Sequence, residues 1–107
     1  MNYEEMSDFE INRMVAEKLG HKLVSGYFTR TDDAQWVRTE NHRGFDPCNK
    51  PEHSWPIIIE NRININFYDD NEGVQIETST GKRWENCVED NPLRSSMITF
   101  LKIGERK

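Results

Sequence analysis

Apolar positions along the chain recur with two periods, and the switches between them mark the elements. Ile11, Met14, Val15 and Leu19 repeat at the spacing of one helical face, and the stem of Lys18 lies along the same seam. Ser7 and Glu10 have capping-box spacing, and Met6 and Ile11 that of a hydrophobic staple. Gly20 supplies a left-handed stop, so the pattern predicts a helix from Asp8 to Leu19. Farther on, Ile63, Ile65 and Phe67 alternate with Asn64, Asn66 and Tyr68. Val74, Ile76 and Thr78 alternate with Gln75, Glu77 and Ser79. Period two marks strands with one buried face. Asp69 to Gly73 reads as the turn between them, and Thr80-Gly81 as a second turn. Arg83 to Val88 then reads as a third strand, with Trp84, Asn86 and Val88 on one face. Connections this short allow only an antiparallel meander. Asn91-Pro92 is a cap followed by proline at the first helical position. Leu93, Met97, Phe100 and Leu101, with Ile98 beside them, stripe a helix from Pro92 to about Ile103, which Gly104 ends.

Two stretches carry weaker patterns. Between residues 22 and 44, Leu23, Val24, Tyr27 and Phe28 suggest a strand, Thr31-Asp32-Asp33 a turn, and Gln35 to Thr39 a second strand; together they read as an edge hairpin. Residues 45 to 63, FDPCNKPEHSWPIIIENRI, hold three of the four prolines. Asn49 is the cap candidate, with Pro51 in the first turn. Trp55, Ile58, Ile59 and Arg62 then fall on one face of a helix of about three turns, kinked near Pro56, or shortened if Ser54 is the cap. On this reading Trp55, Ile58 and Ile59 anchor the helix to the sheet, and Asn61 and Arg62 form its exit.

The order helix, hairpin, helix, three strands, helix defines an α+β protein: an antiparallel sheet of meander plus hairpin packed with three helices as a helix–sheet–helix sandwich. At 107 residues it is one domain over 1–107. Composition refines this picture. Apolar residues at 35% and charged residues at 31% make a polar small protein, while three tryptophans argue against disorder. A net charge of −5 lacks the surplus of cations that duplex nucleic acid requires. No N-terminal apolar run follows a basic start, and none approaches a membrane span. Cys48 and Cys87 have no C-x-x-C spacing and read as reduced thiols, so the expectation is a soluble, cytoplasmic protein without a membrane partner.

Candidate chemistry centres on Asp46, Cys48 and His53. Cys48 lies near a helix start, where a thiol pKa falls, and His53 five residues on is a candidate base for it. No third member is evident, and small cysteines are common in cores. Asp46 before Pro47 is a candidate acid–base group, against its ordinary role of bonding the turn it begins. Cys48, Cys87, His42 and His53 are the candidate metal ligands, without close ligand spacing. His21, after the Gly20 stop, reads as facing helix carbonyls or solvent. No phosphate-loop or dinucleotide motif is present, and no cofactor is called for. The hairpin sets Tyr27, Phe28 and Trp36 beside Arg30, Arg38 and Arg43, residue types that stack bases and track a single strand.

Three segments together, SDFEINRMVAEKLG, FDPCNKPEHSWPIIIENRI and NPLRSSMITFLKI, resemble the NinX-like family of small accessory proteins of lambdoid and related bacteriophages and prophages. The resemblance covers nearly the whole chain and is weakest over residues 22 to 43. It implies an ABA-sandwich domain, a sheet between helices, and a phage setting; it brings no catalytic residues and no cofactor. The reading that follows is a phage accessory protein, not an enzyme, that binds a host or phage protein. Single-strand binding through the hairpin is the alternative, and a small cysteine- or metal-dependent enzyme the second alternative.

Overall fold

The first helix begins as its sequence predicts. Ser7 Oγ accepts from the Glu10 amide and Glu10 Oε1 accepts from the Ser7 amide, both at 3.2 Å, which closes the capping box. Helix α1 runs Asp8–Lys18 after a 3-10 turn at Tyr3–Glu5. It ends in a Schellman motif: His21 N–H bonds Ala16 O and Gly20 N–H bonds Glu17 O. Gly20 takes φ +84, a conformation that costs a side-chain-bearing residue about 1–2 kcal/mol. The computed structural model describes residues 2–22, 36–40, 44–70, 73–81 and 86–103. The rest of the predicted hairpin lies outside them; within them, Val37 and Phe45 form an antiparallel bridge.

Helix α2 runs unbroken over Pro51–Glu60, through Pro56. Pro51 sits at its first position as predicted, but Lys50 is the N-cap and contributes no side-chain bond. Asn49, the predicted cap, instead bonds the side chains of Asp8 and Asp46. Ser54 is interior, its hydroxyl 3.4 Å from the carbonyls of Lys50 and Pro51. Pro56 is tolerated on the outer side of the helix, where both it and Glu52, whose carbonyl it leaves without an amide, are exposed. The exit is as expected: Arg62 takes φ +53, and Ile63 N–H bonds Ile58 O.

Strands β1 (Asn64–Asp70), β2 (Gly73–Ser79) and β3 (Asn86–Glu89) form the antiparallel meander. β1 and β2 pair from Asn64↔Ser79 to Asp70↔Gly73; β2 and β3 pair from Ile76↔Glu89 to Ser79↔Asn86. Ile65, Thr78 and Cys87 therefore lie side by side on the inner face. Val88, on the face expected to run with Trp84 and Asn86, points outward and is exposed; residues 82–85 lie outside the described chain.

Helix α3 (Pro92–Lys102) is the hub. Asn91 caps it as predicted, its Oδ1 accepting from the amides of Leu93 and Arg94. The helix packs on β2 and β3 on one side and against α1 and α2 on the other. The three helices and the three-stranded sheet make the expected α+β class, and among the described elements α3 is the layer between the sheet and the other two helices. Every residue from Ser95 to Leu101 is consequently buried, a pattern expected of a helix enclosed all round rather than striped. Its contact with the sheet is made by hydroxyls. Thr78 Oγ1 lies 2.8 Å from Ser95 Oγ and 2.7 Å from Thr99 Oγ1, all three residues being fully buried. Ile11, Val15, Met97 and Ile98 form the closed centre of the apolar core.

Two apolar assignments are corrected. Trp55 and Ile59 do not anchor α2; they are 55% and 57% exposed, and Ser54, Ile57 and Ile58 face inward. Three isoleucines in a row fit two helical phases, and the packing of α2 on α3 rather than on the sheet selects the second. Phe67 has the inward phase of Ile63 and Ile65 yet is 65% exposed, because α3 covers β2 and β3 and leaves β1 at the margin.

Candidate functional site

Asp46 organises the turn that precedes α2. Its carbonyl accepts from the amides of Asn49 and Lys50 at 3.1 and 2.8 Å, and its carboxylate accepts from Asn49 Nδ2. Its amide donates to His53 Nδ1 at 3.0 Å, so that nitrogen is an acceptor and His53 carries its proton on Nε2. The turn is tied to α1 by Asn12, which is fully buried: Nδ2 donates to Asp46 Oδ1 at 2.7 Å and Oδ1 accepts the Cys48 amide at 3.1 Å. It is tied to α3 by Asn91, whose Nδ2 donates to Cys48 O at 2.9 Å. The sequence pattern did not single out Asn12. The available signal was its phase, an asparagine lying on the helical side of Val15 and Ala16.

An ion-pair network extends from this turn. Asn49 Nδ2 donates to Asp8 Oδ2 at 3.0 Å, and Asp8 Oδ1 is 2.6 Å from Arg94 Nη1. Arg94 Nε reaches Glu89 at 3.2 Å, and Nη2 donates to the carbonyls of Glu4 and Met6 at 3.3 and 2.6 Å. Its guanidinium pKa is raised; burial opposes the charge, but the carboxylates of Asp8 and Glu89 outweigh it.

Cys48 and His53 are thus both tied into the same turn without forming a nucleophile and base. Cys48 is fully buried, and no hydrogen bond joins it to His53. Burial, with the nearby Asp8 carboxylate, pushes its thiol far above the ordinary range. Burial likewise pushes the Cys87 thiol up to about 11. His42 lies outside the described residues, and among those described no cluster of three or more His, Cys, Asp or Glu is placed to hold a metal.

His53 instead belongs to a cleft of about 560 Å³ between α2 and the end of α1. Phe45 forms its floor, with the His21 ring edge-on at 5.2 Å and the His53 ring stacked at 5.4 Å. His21, read from the sequence as facing carbonyls or solvent, is thus part of an aromatic triplet. Glu52, Pro56 and Glu60 line the α2 wall. They recur every four residues, a ridge about 12 Å long. Lys18 lines the opposite wall, its Nζ held by the carbonyls of Phe100 and Ile103 at 2.6 and 2.9 Å. On the outer side of the ridge stand Trp55 and Ile59, one turn apart and open to solvent.

The proposed base-stacking patch is only partly within view. Tyr27, Arg30 and Arg43 lie outside the described residues. Trp36 is 41% exposed and packs beside Gly44, while Arg38 is half-buried. No helix among the described residues is long and apolar enough to cross a membrane.

No curated protein and no solved structure matches this chain. A family model described as bacteriophage P22, NinX, matches residues 2–103, and the chain belongs to that family.

Proposed function

We propose that this phage-associated protein acts by binding a protein of the phage or its bacterial host, in the host cytoplasm, through the outward face of α2. The observation that carries the reading is the pair Trp55 and Ile59, more than half exposed on a helix whose other side is closed by Ser54, Ile57 and Ile58. A large aromatic held open beside an aliphatic residue gains apolar burial only from a partner, and tryptophan is the residue type richest in binding hot spots. A binding rather than catalytic role is supported by the state of Cys48: a fully buried, proton-holding thiol is no nucleophile. The test is affinity capture of the tagged chain from infected cells, with and without nuclease, for the natural chain and for the Trp55→Ala/Ile59→Ser variant. A nuclease-resistant protein captured by the first and lost by the second, with unchanged circular dichroism, is the expected result. Equal capture by both overturns the assignment of the face, and capture that nuclease abolishes points to the single-strand reading.

A further inference from the structure

Resting on that reading, we infer that the partner inserts an arginine side chain into the cleft beside α2, where Glu52 and Glu60 receive its charge. Among the described residues Glu52 and Glu60 have no ion-pair partner, and α2 itself contains no cation. Lys50 and Arg62 lie just beyond its two ends, and Lys18, across the cleft, is committed to two carbonyls at the end of α3 and lies 4.6 Å from the centre of the Phe100 ring. Among the described residues that line the cleft, Glu52 and Glu60 outnumber the single cation Lys18, on a chain whose overall charge is −5. The remaining lining includes the His21 and His53 rings on either side of Phe45, together with Leu19, Ile57 and Asn61.

A planar, weakly hydrated guanidinium stacks on such rings while its edges donate to carboxylates; a compact ammonium does the second without the first. The cleft volume accommodates one such side chain with its stem. The ridge of Glu52, Pro56 and Glu60 is shared with the Trp55 and Ile59 stripe, so a segment with an arginine beside an apolar residue engages both at once. The complementary partner is a basic, partly apolar segment of protein.

Ethylguanidinium is the probe, with N-ethylurea as its neutral counterpart of similar shape, titrated into the nitrogen-15-labelled chain and followed by amide shifts. Saturable shifts at His21, His53, Glu60 and Asn61 with a Kd on the order of 10 mM are expected for so small a fragment. The Glu52→Gln/Glu60→Gln variant is expected to weaken binding at least about tenfold, since charge-assisted bonds carry it. No saturable shift, or the same response to N-ethylurea, overturns the inference. The capture experiment separates it from the reading beneath it. A partner lost by Trp55→Ala/Ile59→Ser but kept by Glu52→Gln/Glu60→Gln leaves protein binding standing and removes the arginine. If no partner depends on Trp55 or Ile59, the binding reading falls, and the titration still decides whether the cleft takes a guanidinium.

Discussion

Asn12→Asp replaces one buried atom group by another of equal size and reverses its hydrogen-bonding sense. The native amide donates to Asp46 Oδ1 at 2.7 Å and accepts the Cys48 amide at 3.1 Å. A carboxylate at position 12 keeps the second bond and sets two negative oxygens face to face at the first. At about 3 Å and an effective dielectric near 20, that repulsion is about 5 kcal/mol. Protonation caps it. Taking up one proton at pH 7 on a carboxyl with an ordinary pKa of about 3.9 costs about 4 kcal/mol, and at pH 5 about 1.5 kcal/mol. The protonated side chain donates to Asp46 and restores both native bonds. The shared proton raises a carboxyl pKa in the folded variant above its unfolded value. Stability is then retained at low pH and lost as pH rises, with a slope approaching about 1.4 kcal/mol per pH unit. Urea unfolding of the natural chain and the variant at pH 5, 6, 7 and 8 measures this. The expected loss is about 4 kcal/mol at pH 7, a large share of the 5–15 kcal/mol typical of such domains, and it falls towards pH 5. Asn12→Leu, which leaves the Cys48 amide unsatisfied, is expected to lose about 1–3 kcal/mol without this pH dependence. A variant loss below about 1 kcal/mol at pH 7, or one that is flat with pH, refutes the buried bridge.

Two further measurements bear on the framework. Arg94→Met is expected to cost about 3 kcal/mol in urea unfolding, at the low end for a broken buried pair because Asp8 and Glu89 keep 23% and 20% of their side-chain surface. Arg94→Lys is expected to recover less than half of it, since an ammonium cannot span the fork of carboxylate and carbonyl acceptors; a loss below about 1 kcal/mol in Arg94→Met marks an ordinary surface pair. For the thiols, iodoacetamide at pH 8 is expected to leave Cys48 and Cys87 unlabelled in the native chain over a time that labels both in urea. With the Cys87 pKa near 11 and the ordinary unfolded value about 8.5, folding stability is held below about pH 8.5 and falls as pH rises from there. Rapid native labelling of Cys48, read by mass spectrometry, restores it as a candidate nucleophile.

The order of the three helices and the three meander strands, the capping box of Ser7 and Glu10, the Gly20 stop and the Asn91-Pro92 start were legible in the sequence because each rests on neighbours within a few residues. Local chemistry of that kind is written at short range. The position of α3 was not. Its apolar stripe predicted a helix with one buried face, whereas the sheet on one side and α1 and α2 on the other enclose Ser95 to Leu101 on every side. The same packing decided that Thr78, Ser95 and Thr99 meet by hydroxyls, and that Ile57 and Ile58 rather than Trp55 and Ile59 turn inward.

Asp46, Cys48 and His53 were conspicuous as residue types, yet type alone does not separate a reactive thiol from a buried one. That depended on Asn12, 34 residues before Asp46, and on Arg94 joining Asp8 across 86 residues. The sequence by itself determined the three helices and the three meander strands, and that the chain belongs to a phage protein family. Tertiary structure alone decided which polar groups are sealed in the core, and it brought His21, Phe45 and His53 together beside Glu52 and Glu60 in one cleft. The physical reason is that burial is a property of the assembled layers, set by contacts that no local spacing encodes.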